Sequence, residues 1–520
     1  MKQLSVTCLL NLILVCLATP SVGNQGNWPQ GAGPNATFQV EATAPVSWSV
    51  VHDQNIDWKI TLPETGQSTV VSWANFLFFS TMKPVERDTE LGNTIVAYCC
   101  DSQSGKVLWT REIKGRYSFH LSSPYADSSA PPAVTDGERV CFFNASGKIA
   151  CFDFKGNKLW QREALAGRRC NPFLLNGSVV FVRQNYGPNA SGHFANDKDE
   201  YSAHEFWGQV QSLNMKTGEI SWASTCGVFQ GCIPLLSHLD GKPVILVARG
   251  GGHNPPEKPQ GLSLIDGNNG KEIWSYSVEG FRSSQNMKLY KNKAIAFFNG
   301  KHLWIDAKTG QLTKEVGIDM GDLYLWTNGK YVKQENEKIS TAGSMGGIIA
   351  ESNLSIGEFH YFRTYNHLYL GRVHLITGKV EYIELPAQMK RTPDHKKGEF
   401  LWGGRLSGAT KASRLSFSPN DMKNSRGFVV MGDKRSKGNG WGHHASAPPT
   451  VVGEYLYIPT MSGLVHVIKW NAAKLDGDAI VGINDLGPVG SSWNRASICA
   501  ANGKIYAHTM RELICIGVVE

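Results

Sequence analysis

One pattern, repeated along most of the chain, constrains the fold more than any other feature. An alternating apolar strand runs into an Asp or Asn, then a Gly-containing turn, then a second strand that ends in Trp. It reads AYCCDSQSGKVLW at Ala97–Trp109, IACFDFKGNKLW at Ile149–Trp160, VQSLNMKTGEISW at Val210–Trp222 and LSLIDGNNGKEIW at Leu262–Trp274. LWIDAKTGQLTK at Leu303–Lys314 lacks the Trp, and RVHLITGKVEYI at Arg372–Ile383 is a worn copy. The turn-opening residues Asp101, Asp153, Asn214, Asp266 and Asp306 are spaced 52, 61, 52 and 40 apart. Self-similarity at such a period marks a repeat architecture.

The physics of the unit is local. Asp or Asn accepts bonds from the backbone just ahead and opens the turn, and Gly takes the φ > 0 position. The flanking runs alternate apolar and polar at period two, as antiparallel strands with buried faces require. The Trp supplies a broad ring to wedge between neighbouring sheets. Another hairpin precedes each of these, for example at Ala133–Asn144, Phe173–Gln184, Leu289–Gly300, Thr450–Thr460 and Cys499–Thr509. A lone four-stranded sheet leaves both faces and its edges exposed, so copies must stack and the ring must close.

The chain is therefore predicted to be all-β, an eight-bladed β-propeller of four-stranded antiparallel sheets closed by its N- and C-terminal strands. The orphan strand at Asn55–Pro63 completes the last unit, which ends at Arg511–Gly517 without an outer strand. Seven blades is the alternative, because Gly321–Glu351 and Ala387–Ser436 are irregular and hold either a blade or insertions. Fifty-five glycines and 15 tryptophans in 520 residues suit such a turn-rich ring.

Residues 1–23 read as a signal peptide. Lys2 precedes the apolar run Leu4–Ala18, and Ser21-Val22-Gly23 offers small residues before Asn24. Cys16 suggests a lipoprotein signal instead, but Val15 sits where such a signal wants a small residue. Residues 24–54 form an N-terminal extension and 55–520 the propeller. No later run reaches the ~18 apolar residues of a membrane-spanning helix. The protein is expected to be exported, periplasmic or secreted, and monomeric. Its net charge of +8 is spread along the chain and does not suggest a nucleic-acid surface. Nine cysteines follow the signal segment, and Cys226–Cys232, then Cys141–Cys151, are the pairs expected to form disulfides.

The Asp/Asn-x-x-x-Gly-Lys/Glu-x-x-Trp run resembles the PQQ-type repeat of quinoprotein alcohol dehydrogenase-like propellers. The opening Gly26–Phe38, with Ala445–Ile468 and Arg511–Gly517, further resembles the secreted PQQ-like repeat proteins common in planctomycetes. The resemblance implies the fold and leaves the activity open, since the same propeller serves PQQ-dependent dehydrogenases and a non-enzymatic outer-membrane assembly factor. In the dehydrogenases a vicinal disulfide stacks on the quinone beside calcium and an Asp base. That implies a cofactor platform at Cys99-Cys100. The pair lies in a strand, however, where adjacent side chains point to opposite faces, so the residues themselves read as two packing positions. No Asp/Glu-rich loop has calcium-site spacing.

In a propeller the connections between blades share one face with each blade's second-to-third-strand loops, so distant segments converge there. The polar residues in these segments are the candidate ligand-binding set. They are His120, Tyr125 and Asp127; Arg282, Gln285 and Asn286; Trp441, His443 and His444; and Trp493, Asn494 and Arg495. The long loops add Asp197, His204 and His253. Lacking any H-x-H or HExxH spacing, they identify no metal site. The expected function is non-catalytic binding of a protein or polysaccharide through this face. A PQQ-dependent oxidoreductase, with PQQ and Ca²⁺ as cofactors, is the first alternative. A metal-dependent carbohydrate-active enzyme is the second.

Overall fold

The computed structural model describes residues 26–83, 91–120, 127–190, 192, 205–251, 257–281, 287–328, 330–341, 348–364, 367–385, 389–390, 399–400, 447–461, 463–487, 492 and 494–517. Eight antiparallel sheets stand in a ring. Blade 1 runs from its inner strand Val71–Trp73 through Phe76–Met82 and Leu91–Asp101 to its outer strand Val107–His120. The inner strands of blades 2 to 7 are Val134–Thr135, Phe173–Leu175, Leu235–Leu239, Met287–Tyr290, Ile348–Ile356 and Thr450–Val452. Blade 8 comprises Cys499–Ala501, Lys504–His508 and Glu512–Ile516, and its outer strand is Ile56–Thr61 from the other end of the chain. The closing register pairs Lys59 with Ile514 and Ile60 with Leu513, and Lys504 reaches Asp57 at 2.5 Å. Among the described residues no helix is long and apolar enough to cross a membrane.

The repeat residues do the same work in blades 1 to 6. Asp101 Oδ1 accepts from the amides of Gln103 and Ser104, Asn214 Oδ1 from those of Lys216 and Thr217, and Asp306 Oδ1 from those of Lys308 and Thr309. In the worn copy His374 Nδ1 stands in, at 3.2 and 3.4 Å. The following Gly has φ between +70° and +82° at positions 105, 156, 218, 270, 310 and 378. Its missing side chain has a second cause. A Cβ on Gly156 would come within 2.9 Å of the Trp109 ring, and one on Gly218 within 2.6 Å of the Trp160 ring. Each of these tryptophans also donates from Nε1 to the carbonyl just past the turn-opening residue of the next blade. Trp109 reaches Phe154, Trp160 reaches Met215 and Trp274 reaches Ala307, at 2.7–3.1 Å. Trp58 in the closing strand reaches Ser102 at 3.2 Å, so the seam between blades 8 and 1 repeats this bond.

The irregular segments resolve in favour of eight blades, and the seven-blade alternative is excluded. The hairpin Met320–Thr327 and Lys330–Lys338 joins the outer edge of blade 6, its first strand running parallel to Val380–Glu384, while Ile348–Ile356 is that blade's inner strand. Between Glu384 and Thr450 the described residues form only a two-stranded ribbon, Met389–Lys390 with Glu399–Phe400.

The nine cysteines among the described residues are free and buried, which corrects the expectation of disulfides at Cys226–Cys232 and Cys141–Cys151. Cys141 and Cys151 are direct cross-strand partners in blade 2. Cys232 Sγ accepts from the Ala248 amide at 3.3 Å. The thiols serve as small apolar side chains in the interblade layers.

The N-terminal extension closes one end of the channel. Trp28 exchanges two 2.8 Å backbone bonds with Ser72 of blade 1, Pro29 accepts from Thr135 of blade 2, and Gln30 Oε1 accepts from Leu174 of blade 3. Eight residues on, Phe38 accepts from Val451 of blade 7, and Gln39 donates to Ser355 of blade 6. The segment thus crosses the ring from blades 2 and 3 to the opposite blades 6 and 7. It does so beside the turns that join each inner strand to the second. Trp28 and Phe38 are buried there. The chain then leaves along blade 7, where Ser49 and Val51 bond the Asp485 carboxylate, and enters blade 8.

Candidate binding pocket

At the opposite end of the channel the connections into successive inner strands converge. Gln67 and Thr69 lead into blade 1, Ala130 into blade 2, Arg168–Asn171 into blade 3, Ile233 into blade 4, Pro448 into blade 7, and Arg495 and Ser497 into blade 8. With Glu351 of blade 6 they line a pocket that opens to solvent. One lining residue, Asn171, meets the N-terminal segment. A Cβ on Gly31 would stand 2.6 Å from Asn171 Oδ1 and 2.3 Å from Pro132 Cγ, so only Gly lets the crossing chain lie this close.

Glu351 is the centre of the site. Between the pairs Ile348–Thr364 and Asn353–Phe362 the inner strand takes five steps while its neighbour takes two. The bulge re-aims the side chain away from the ladder. Glu351 Oε1 accepts from Arg169 Nη1 at 2.6 Å and Oε2 from Arg495 Nη2 at 2.8 Å. Burial alone would raise its pKa, but the two guanidiniums overcome that and hold it below the usual carboxylate value. The group is an ion clamp between blades 3, 6 and 8. Arg363, opposite the bulge on Phe359–Thr364, is also buried, and desolvation lowers its pKa to about 10. Its Nη1 has no hydrogen-bond partner among the described residues.

Of the residues predicted to converge here, Arg495 does so. Asn494 next to it is buried, with Oδ1 capping the Ala496 amide at 3.0 Å and Nδ2 unpartnered among the described residues. Asp127 is a connector residue with a structural task. It takes the Ser129 amide and hydroxyl at 2.8 and 2.6 Å, and its own amide donates to Gln67 Oε1. His120 ends the outer strand of blade 1. Tyr125, Asp197, His204, His253, Arg282, Gln285, Asn286, Trp441, His443, His444 and Trp493 lie outside the described residues. Sequence reasoning missed Arg168, Arg169 and Glu351. The Arg168-Arg169 pair was a visible signal, whereas Glu351 sat in a segment without repeat register.

Cys99 and Cys100 do not form the cofactor platform. Both are reduced, fully buried and in the third strand of blade 1. Cys99 packs among Phe78, Phe142 and Phe152 toward blade 2, and Cys100 among Leu77, Tyr506 and Ile514 toward blade 8. Burial raises both thiol pKa values, Cys100 to about 12. Among the described residues no group of three His, Cys, Asp or Glu side chains could hold a metal ion. The Cys99–Cys100 pair, buried on opposite faces of its strand, thus does not fit a disulfide stacked on a quinone.

Residues 88–224 match the protein family described as Outer membrane protein assembly factor BamB. Three solved structures align along nearly the whole chain. The quinohemoprotein alcohol dehydrogenase ADHIIG of Pseudomonas putida HK5 matches with TM-score 0.53 at 12% identity, over 96% of this chain and 81% of its own. A europium-containing methanol dehydrogenase gives 0.52 at 12%, over 93% and 89%. The quinohemoprotein alcohol dehydrogenase of Comamonas testosteroni gives 0.52 at 10%, over 94% and 80%. The fold is a β-propeller similar to that of these PQQ-type dehydrogenases. No curated protein matches the chain. At these identities the likeness is one of architecture, and the chemistry of this propeller must be argued from its own pocket.

Proposed function

We propose that the protein is an exported, monomeric, non-catalytic propeller that binds a protein or polysaccharide at the face where the interblade connections converge. The observation that carries this reading is the state of Glu351. It is the only carboxylate in the described pocket lining, and each of its oxygens already accepts from an arginine. A carboxylate held ionised by two cations is a poor proton donor or acceptor, and arginine does not titrate near neutrality. The described lining offers polar and cationic groups for contact rather than a group poised for proton transfer. The resemblance to secreted planctomycete-type repeat proteins and the assembly-factor description of the matching family agree with a binding role. The second reading, a PQQ-dependent oxidoreductase, draws on the dehydrogenases that share the fold.

The test is retention on immobilised glycans and candidate protein partners, comparing the mature protein with Arg168→Glu. Retention that Arg168→Glu abolishes supports the reading; no retention of any ligand opposes it. Incubation with PQQ and Ca²⁺ followed by dye-linked alcohol oxidation addresses the second reading. Turnover with a bound-quinone absorbance would replace the binding assignment. N-terminal sequencing of the exported protein should begin at Asn24.

A further inference from the structure

We propose that a monovalent inorganic anion of the halide class binds in the seam between blades 6 and 7, held by Arg363 and Ser352. This site is separate from the Arg169–Glu351–Arg495 clamp and goes beyond the reading of the open face as a binding surface. Its place follows from the strand. The Tyr361 hydroxyl donates to the Trp470 carbonyl of blade 7 at 2.6 Å. Side chains two apart on a strand share a face, so Arg363 faces that blade too. Ser352 belongs to the bulge that Arg363 stands opposite. Arg363 is 4% exposed and Ser352 1%.

Other buried arginines show what this one lacks. Arg372 donates to Glu381, to the Tyr361 hydroxyl and to the Ala472 and Ala473 carbonyls. Arg249 donates to the Leu262 carbonyl and the Ser275 hydroxyl. Arg363 has no hydrogen-bond or ion-pair partner among the described residues, and the Ser352 hydroxyl has none either. Glu351, next to Ser352 in the chain, gives its two oxygens to Arg169 and Arg495. Desolvation lowers the Arg363 pKa only to about 10, so the group keeps its proton at neutrality. A buried cation without a counter-charge is costly, and so is a buried donor without an acceptor. Water would accept from both groups and leave the charge unbalanced. A monovalent anion accepts from the N–H and O–H donors and balances one guanidinium. Arg363 Nη1 and Ser352 Oγ are both sealed from solvent, which favours a single atom over a polyatomic ion.

The test holds the mature protein at constant ionic strength in sodium gluconate and replaces gluconate with chloride, with sulfate as the control arm. The apparent Tm should rise by about 1–2 °C for each tenfold increase of chloride above its dissociation constant. Sulfate should not reproduce the rise. In gluconate Arg363→Met should melt above the unsubstituted protein, because it removes an unbalanced buried charge, and chloride should leave its Tm unchanged. Ser352→Ala keeps the cation and loses one donor, so it should weaken chloride binding about tenfold. Crystals grown in bromide should show one anomalous peak beside the Arg363 guanidinium. A Tm indifferent to chloride, or raised equally by sulfate, would overturn the proposal. So would a chloride response that survives Arg363→Met, or bromide absent from Arg363. If Arg363→Met does not fold, Ser352→Ala decides alone, and an unchanged chloride affinity in that variant counts against the site.

Discussion

The two ends of the propeller are built by opposite means. At the end carrying the turns between third and outer strands, one solution recurs. An Asp, Asn or His caps the turn and Gly takes φ > 0; the preceding blade's Trp lies on that Gly except at Gly378, where Val316 packs instead, and Trp109, Trp160 and Trp274 donate to the turn carbonyl. At the other end the connections differ from blade to blade. What they share is convergence on the Arg169–Glu351–Arg495 clamp, whose ion pairs join residues 182 and 144 positions apart. Redundant local contacts make the ring, and a few unique distant contacts make the site. Damage should therefore be distributed at the first end and concentrated at the second.

The largest effect expected is at the clamp. Glu351→Gln leaves two guanidiniums facing a neutral amide in a buried position and should cost about 3–5 kcal/mol, the range for breaking a buried pair from one side. Chemical denaturation measures it; a loss below that of a single Trp variant would break the contrast between the two ends. Trp160→Ala removes one of several equivalent rings. It should cost about 2–4 kcal/mol, somewhat under the range for a fully buried aromatic because Trp160 is only half-buried. The same substitution at Trp109 should match it closely, since each ring rests on a turn Gly and donates to a turn carbonyl.

The smallest effect is set by pH. Burial lowers the pKa of His302, between blades 5 and 6, to about 3 and that of His508, whose Nδ1 donates to Ser68 at the open end, to about 4. Both stay neutral in the fold while the unfolded chain takes up protons below its ordinary value. Their contribution is complete above pH ~6.5 and is lost as pH falls toward the folded values, about 2 kcal/mol each by pH 5. A denaturation series from pH 7 to 5 checks this, and His508→Gln should flatten the slope. Glu351 acts with the same sign at lower pH. Its folded pKa lies below the usual 4.5, so its stabilisation is lost as pH falls through that range.

Much of the ring was legible because its signals are local. Asp153, Gly156 and Trp160 each announce a backbone conformation or an interblade contact within a dozen residues, and the missing outer strand of the last unit pointed to Asn55–Pro63. Trp58 was a further copy of the Trp signal that passed unread. The bridging role of residues 28–40 was not legible, because backbone pairing with inner strands needs no side-chain pattern. Arg495 could be singled out as a charged residue in a connector, whereas nothing around Glu351 marked it as the partner.

The sequence by itself determined the repeating unit, its turn chemistry and the need to close, because strand periodicity, positive φ at Gly and unsatisfied sheet edges are short-range constraints. Only the tertiary structure decided that an opening segment bridges the channel, that Cys99 and Cys100 face different blades, and that Arg169, Glu351 and Arg495 meet. Those outcomes depend on where eight sheets place residues hundreds of positions apart. No local energy term along the chain encodes that meeting before the ring has formed.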